Sequence, residues 1–129
     1  MLMKHTTPPN RTTFDAQVWE FVRQVPHGRV VTYGQVAQSI TPPSGVDAQT
    51  YKAFGARWVG HAMAACPPDV PWQRVINSQG KVSDRRGAVE QQQRLEAEGV
   101  RFTKGKISLK WYQWPGPDHD EQPRQAMLF

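Results

Sequence analysis

Cysteine is almost missing from this chain. Cys66 is the only one in 129 residues, which excludes an internal disulfide framework and is in keeping with a reducing compartment. No apolar run reaches membrane-spanning length, and the N-terminus lacks the hydrophobic stretch of a signal peptide. The expectation is a cytoplasmic protein without a membrane partner. The four histidines are scattered without metal-ligand spacing, and no phosphate-binding glycine loop occurs. Neither a metal nor another cofactor is expected. No internal repeat is present.

Acidic residues are the minority, 11 against 16 Lys and Arg, for a net charge of +5. The imbalance is uneven. Asp118, Asp120 and Glu121 against Arg124 give residues 115–129 a charge of −2, so the first 114 carry +7. A basic body with a non-basic tail suits a polyanion such as DNA, although charge alone speaks of non-specific association.

The length suffices for one domain with a core. Residues 1–12, polar with two prolines, read as a flexible N-terminal arm, 13–114 as the domain, and 115–129, Pro-rich and polar, as a flexible tail. Phe14, Val18, Phe21, Val22 and Val25 recur at helical spacing, with Thr12 or Thr13 as cap. Arg29–Thr32 is a β-branched run and reads as a strand. Tyr33–Ile40 reads as a short helix, 41–50 with Pro42-Pro43-Ser44-Gly45 as a loop, and Tyr51–Cys66 as a second helix. That succession suggests helix-turn-helix. Val75–Ser83 reads as a small extended or hairpin element, and Ala88–Glu98 as a polar helix closed by Gly99. Phe102–Trp114 reads as a strand or hairpin around Lys104-Gly105-Lys106.

Four blocks carry a family resemblance, in order along the chain. They are Val25-Pro26-His27-Gly28-Arg29-Val30-Val31-Thr32-Tyr33-Gly34-Gln35-Val36-Ala37, then Ala56-Arg57-Trp58-Val59-Gly60-His61-Ala62-Met63, then Pro71-Trp72-Gln73-Arg74-Val75, then Leu95-Glu96-Ala97-Glu98-Gly99-Val100. Together they resemble the O6-alkylguanine-DNA alkyltransferases. The third block is similar to that family's Pro-Cys-His-Arg-Val, with Trp72 at the nucleophile position and Gln73 at the base position. An indole is no thiolate, and an amide is no base near neutral pH. The pattern is that of the alkyltransferase-like proteins, which bind the lesion and leave the alkyl group in place. No residue is expected to be catalytic.

The resemblance implies an α/β fold, mostly α. It is a single small domain with a variant or winged helix-turn-helix core, like the C-terminal domain of the alkyltransferases. It implies DNA contacts from Tyr33, Gly34, Gln35, Arg57, Gly60, His61 and Met63, and a lesion pocket formed by Tyr33, Trp72, Arg74 and Arg85. Tyr33 matches the tyrosine that helps rotate the target nucleotide. Arg57 matches the finger that fills the hole left by a flipped base. Trp72 becomes a wall of the pocket, and Arg85 lies over the base as a cation. Arg74 is mainly structural in the family, and Glu98, without its relay, reads as a helix-end residue. Gly55, Ala56, Gly60, Ala62, Ala64 and Ala65 leave the second helix slim. That suits the minor groove, about 6 Å wide, and equally suits close packing against another helix.

The implied function is a non-enzymatic damage sensor. It binds double-stranded DNA through the minor groove, flips O6-alkylguanine into the pocket and hands it to nucleotide excision repair proteins. A monomer associated with the nucleoid is the implied state. Two rivals stand beside it. One is an alkyltransferase using Cys66, where the family commonly has Asn. The other is a helix-turn-helix transcription regulator reading the major groove. Loop 41–50 is longer than most family members show. The tail adds a separate resemblance, Gln125-Ala126-Met127-Leu128-Phe129, to the sliding-clamp-binding peptide Gln-Leu-x-Leu-Phe, which implies clamp contacts from Gln125, Leu128 and Phe129.

Overall fold

The computed structural model describes residues 8–118. Helix α1 spans Arg11–Arg23 and buries Phe14, Val18, Phe21 and Val22, one stripe at three- and four-residue spacing. It begins two residues before the expected cap. Asn10, at φ 52, supplies the carbonyl for Phe14 N, and no side chain caps the end. Thr12 and Thr13 therefore lie inside the first turn. Arg11 joins it through an ion pair with Asp15 at 3.2 Å.

Strand β1 is only Val31–Thr32. Thr32 is also the cap of α2, Tyr33–Ser39, in a capping box. Its hydroxyl accepts from Gln35 N at 3.0 Å, and the Gln35 side chain accepts from Thr32 N. Helix α3 runs Ala48–Ala64, three residues earlier than the apolar pattern predicts, because Asp47 accepts from Thr50 N at 2.7 Å and starts the helix there. Helices α1, α2 and α3 pack together around Phe14, Trp58, Val59 and Ala62, all nearly sealed from solvent. The pair α2–α3 is the expected helix-turn-helix.

After Pro67-Pro68 the chain makes a 3₁₀ turn, Trp72–Arg74, and enters β2, Val75–Ile76. The expected hairpin is replaced by a long-range pairing. β2 lies parallel to β1, with Val31 opposite Val75 and Thr32 opposite Ile76. Residues 77–81 form a tight turn instead of a return strand, with Asn77 Oδ1 accepting from Gln79 N and Lys81 N.

Helix α4, Ala88–Ala97, ends at Gly99 (φ 93) as expected. Its Leu95 joins Val30, Ile76, Val100 and Ile107 in a second, smaller core. The expected strand or hairpin at 102–114 is a minimal hairpin turn at Lys104-Gly105, with Thr103 bridged antiparallel to Lys106, and the rest is not a strand but leads into the one-turn helix α5, Leu109–Tyr112. Ser108 caps α5, its hydroxyl accepting from Trp111 N, which converts the alternating pattern into a helical turn. Trp114 returns to the main core, tied to Val30 by a backbone bond of 2.8 Å. Among the described residues no helix is long and apolar enough to cross a membrane.

Candidate nucleic-acid interface

A cavity of about 620 Å³ opens between the start of α2, one face of α3 and the loop after β2. Tyr33 and Gly34 come from α2; Ala56, Arg57, Gly60, His61 and Ala64 from α3; Asn77, Ser78, Ser83 and Arg85 from the loop. The capping box aims Tyr33, the first residue of α2. Arg85 donates to the Tyr33 hydroxyl at 3.0 Å. Arg57 is exposed, with its guanidinium 5.8 Å from the Phe54 ring centre. Phe54 in turn lies flat against buried Trp58. The arginine therefore stands on an aromatic stack.

Helix α3 divides cleanly. Gly55, Trp58, Val59, Ala62 and Met63 face inward, while Ala56, Arg57, His61 and Ala64 face out. Met63, expected to touch DNA, is 7% exposed and belongs to the core. The two glycines also part company. A Cβ on Gly55 would stand 3.2 Å from Ala37 Cβ and 3.3 Å from the Tyr51 ring, so Gly55 serves helix packing. A Cβ on Gly60 would meet nothing within 4 Å, so Gly60 keeps the outer face slim over the cavity.

Gln35 departs from its expected part. Besides the capping box, its amide donates to Trp114 O, and its oxygen accepts from Gln113 Nε2 at 2.7 Å. It ties α2 to the end of the domain and keeps one of its two amide N–H groups free of these bonds.

The former relay forms a second cluster. Trp72 and Arg74 do not line the cavity. Arg74 points inward, meeting Glu98 at 2.9–3.1 Å and Val25 O at 2.9 Å. The expected place of Arg74 in the pocket is thus corrected to an internal clamp. Glu98, expected to be a mere helix-end residue, is the centre of the cluster. It accepts from Arg74, from Gly28 N at 2.9 Å and from Gln73 Nε2 at 2.7 Å. Burial pushes its carboxyl up, but the bonds from Arg74, Gly28 and Gln73 outweigh that and hold it below the ordinary glutamate value.

Because a carboxylate only accepts, Gln73 must turn its Nε2 to Glu98. Its oxygen is buried and has no partner among the described residues. Buried Gln91 secures the same turn by donating to Gln73 O and Val75 O at 3.1 and 2.8 Å. Trp72 is half-buried against the main core, with the Arg94 guanidinium 5.4 Å from its ring centre. Nothing in the sequence distinguished Gln91, since a glutamine in a polar helix gives no sign of burial.

Cys66 follows the end of α3, and burial pushes its thiol up. A raised thiol is a poor nucleophile near neutral pH. Among the described residues no group of three or more His, Cys, Asp or Glu is placed to hold a metal ion. Residues Gln125, Leu128 and Phe129 lie outside the described residues.

Residues 13–100 match the family of the 6-O-methylguanine DNA methyltransferase, DNA binding domain. The chain belongs to that family. The DNA base-flipping protein of Vibrio parahaemolyticus is 40% identical over 105 residues, covering 78% of this chain and 95% of that one. Alkyltransferase-like protein 1 of Schizosaccharomyces pombe is 38% identical over 111 residues, covering 78% and 94%. The crystal structure of S. pombe Atl1 in complex with damaged DNA containing O6-carboxymethylguanine superposes with a TM-score of 0.66 at 37% identity, over 80% of this chain and 95% of that chain. Within the 6-O-methylguanine methyltransferase family, this is an alkyltransferase-like member whose nucleophile position holds Trp72.

Proposed function

We propose that this protein is a non-enzymatic sensor of O6-alkylguanine in duplex DNA. The observation that carries the reading is an intact Glu98 cluster around a changed centre. Glu98 still gathers the residues of the relay, but those residues are now Gln73 beside Trp72 and can neither deprotonate nor attack. The S. pombe relative is seen on DNA containing O6-carboxymethylguanine, and the Vibrio relative is named for base flipping.

In this reading the outer face of α3 enters the minor groove, where Gly60 admits close approach. Arg57 fills the space of the departed base, stacking on the neighbours and donating to the orphaned partner. Tyr33 crowds and bonds the rotating phosphate. The base enters between Tyr33 and Arg85, and Trp72 is proposed to become a flat wall of the pocket once the base is bound. An alkyl group adds apolar area, about 0.8 kcal/mol per buried methylene. The alkyl oxygen also costs the base its ring proton, which weakens pairing and eases flipping.

A sensor without chemistry needs a successor, and handover to nucleotide excision repair is the proposed outcome. The tail Gln125–Phe129 is proposed to reach the sliding clamp, which its deletion tests directly. If removing Gln125–Phe129 leaves clamp binding unchanged, that part fails. The protein acts as a monomer at the nucleoid of the cytoplasm.

The central test uses one duplex with and without a single O6-methylguanine. The native protein binds the lesion duplex more tightly, Arg57→Ala loses most of that preference, and the recovered protein has no added mass. A methyl adduct would mean that Cys66 acts as an alkyl acceptor. Equal affinity for both duplexes would point to a general or sequence-reading DNA binder.

A further inference from the structure

From Gly99 to Pro117 the chain has four cations, Arg101, Lys104, Lys106 and Lys110, and no acidic residue. All four are exposed, and among the described residues none has an ion pair. Elsewhere the structure pairs its arginines readily: Arg11 with Asp15, Arg23 with Asp69 and Arg94 with Glu90. The four cations of this lobe stand together with no acidic residue among them.

That lobe adjoins the cavity described above. Gly34 and Ser78 line that cavity and also a second one, of about 600 Å³, whose other lining includes Leu109 and Lys110. Next along the chain, Ser108 and Trp111 line a third, of about 720 Å³, together with Arg101 and Lys106. Tyr33 and Arg57 thus share a surface with Lys110 through Gly34 and Ser78, while Arg101 and Lys106 line a separate recess on the same lobe. The join is rigid. Ile107 N donates to Gly80 O at 2.9 Å, which fixes the lobe to the turn that carries Ser78.

Lys104 stands at the tip of the lobe at φ 53, followed by Gly105 at φ 78. The first position of such a turn is best filled by Asn, Asp or Gly, and a lysine there costs about 1 kcal/mol. An ammonium at the tip is retained against that cost.

We propose that this lobe is a second phosphate-binding surface, which takes the DNA backbone flanking the lesion. The proposal rests on the reading of the protein as a duplex binder and adds to it a contact outside the helix-turn-helix. Cations without ion pairs, with Lys110 adjoining the lesion cavity and the rest on the same fixed lobe, fit a repeating row of phosphates.

The test is the salt dependence of duplex affinity for the native chain and for Lys104→Gln/Lys106→Gln/Lys110→Gln, in which every altered side chain is exposed. Each phosphate contact contributes about −0.9 to the slope of log K against log salt. The triple variant should lose about two to three from that slope while keeping its preference for the O6-methylguanine duplex. A control, Arg11→Gln/Arg23→Gln on α1, lines none of the three cavities and should leave the slope near native. An unchanged slope in the triple variant overturns the proposal and would assign the lobe to an acidic protein partner. An equal loss in the control also overturns it, since the effect would then be net charge alone. Failure of the lesion reading shows separately, as equal native affinity for the two duplexes.

Discussion

Arg85 and Tyr33, 52 residues apart in the chain, are joined by a single hydrogen bond in which the guanidinium donates to the phenol oxygen at 3.0 Å. The consequence is directional. With its oxygen occupied as an acceptor, the phenol has its own proton left to donate outward, to a phosphate. Tyr33→Phe should lower affinity for a lesion duplex by about tenfold, the value of one hydrogen bond to a charged group. Arg85→Ala should weaken binding too. The double variant should fall short of the sum by at least about 0.5 kcal/mol, because the two act as one unit. Additive losses in a fluorescence binding cycle would show that the bond is incidental.

Gly60→Ala should separate stability from function. Its Cβ meets nothing in the free protein, so the helix gains about 0.5–1 kcal/mol from the substitution. The same methyl group projects toward the proposed minor-groove contact. Urea unfolding should show a more stable protein, and duplex binding a weaker one. Gly55→Ala should gain less stability than Gly60→Ala, since its Cβ would stand only 3.2 Å from Ala37 Cβ and 3.3 Å from the Tyr51 ring, which must give way.

Glu98→Ala should destabilise the fold by about 3–5 kcal/mol, because it strands Arg74 in a largely buried position. The pH dependence follows from the lowered carboxyl. A carboxyl held below its unfolded value stabilises the fold fully above that value, and the contribution is lost as pH falls through the folded one. Native protein should therefore lose stability on acidification, over a window reaching below the ordinary glutamate range. Glu98→Ala should show a flatter profile there. Matching profiles for the two proteins would remove Glu98 from the centre of the cluster.

Cys66 should react slowly with iodoacetamide at neutral pH, reaching half its maximal rate above the ordinary cysteine range, since burial disfavours the thiolate. Mass spectrometry after exposure to O6-methylguanine DNA should find an unmodified chain, and Cys66→Ser should bind the lesion as the native protein does. Fast alkylation at neutral pH would reopen the enzymatic alternative.

The main helices were legible because their apolar residues repeat at helical spacing over many residues, as Phe14 to Val22 do. The gathering of Tyr33, Arg57 and Arg85 at one cavity was legible only through the family blocks, for no local pattern joins three such distant residues. The β1–β2 pairing was not legible. Two-residue strands have no periodicity, and their partner lies 44 residues away. Met63 was misplaced for a geometric reason. Seven residues after Ala56, it sits about 20° beyond it on the helix, at the border between the outer and inner faces, and its long side chain turns to the core. Glu98 and Arg74 were underrated because the lost relay drew attention from the charge pair that outlives it.

The parallel register of β1 and β2 has a further meaning. Strands running in the same direction discharge their chains at a common end, so Tyr33 after Thr32 and Asn77 after Ile76 emerge side by side. Two residue pairs of backbone thus bring together segments that the sequence keeps far apart. Of the stretch between them, α2 and α3 are held by the core, whereas the connection 40–46 is not part of that alignment. The extended connection before Asp47 can grow or shrink between relatives while the mouth of the site keeps its shape.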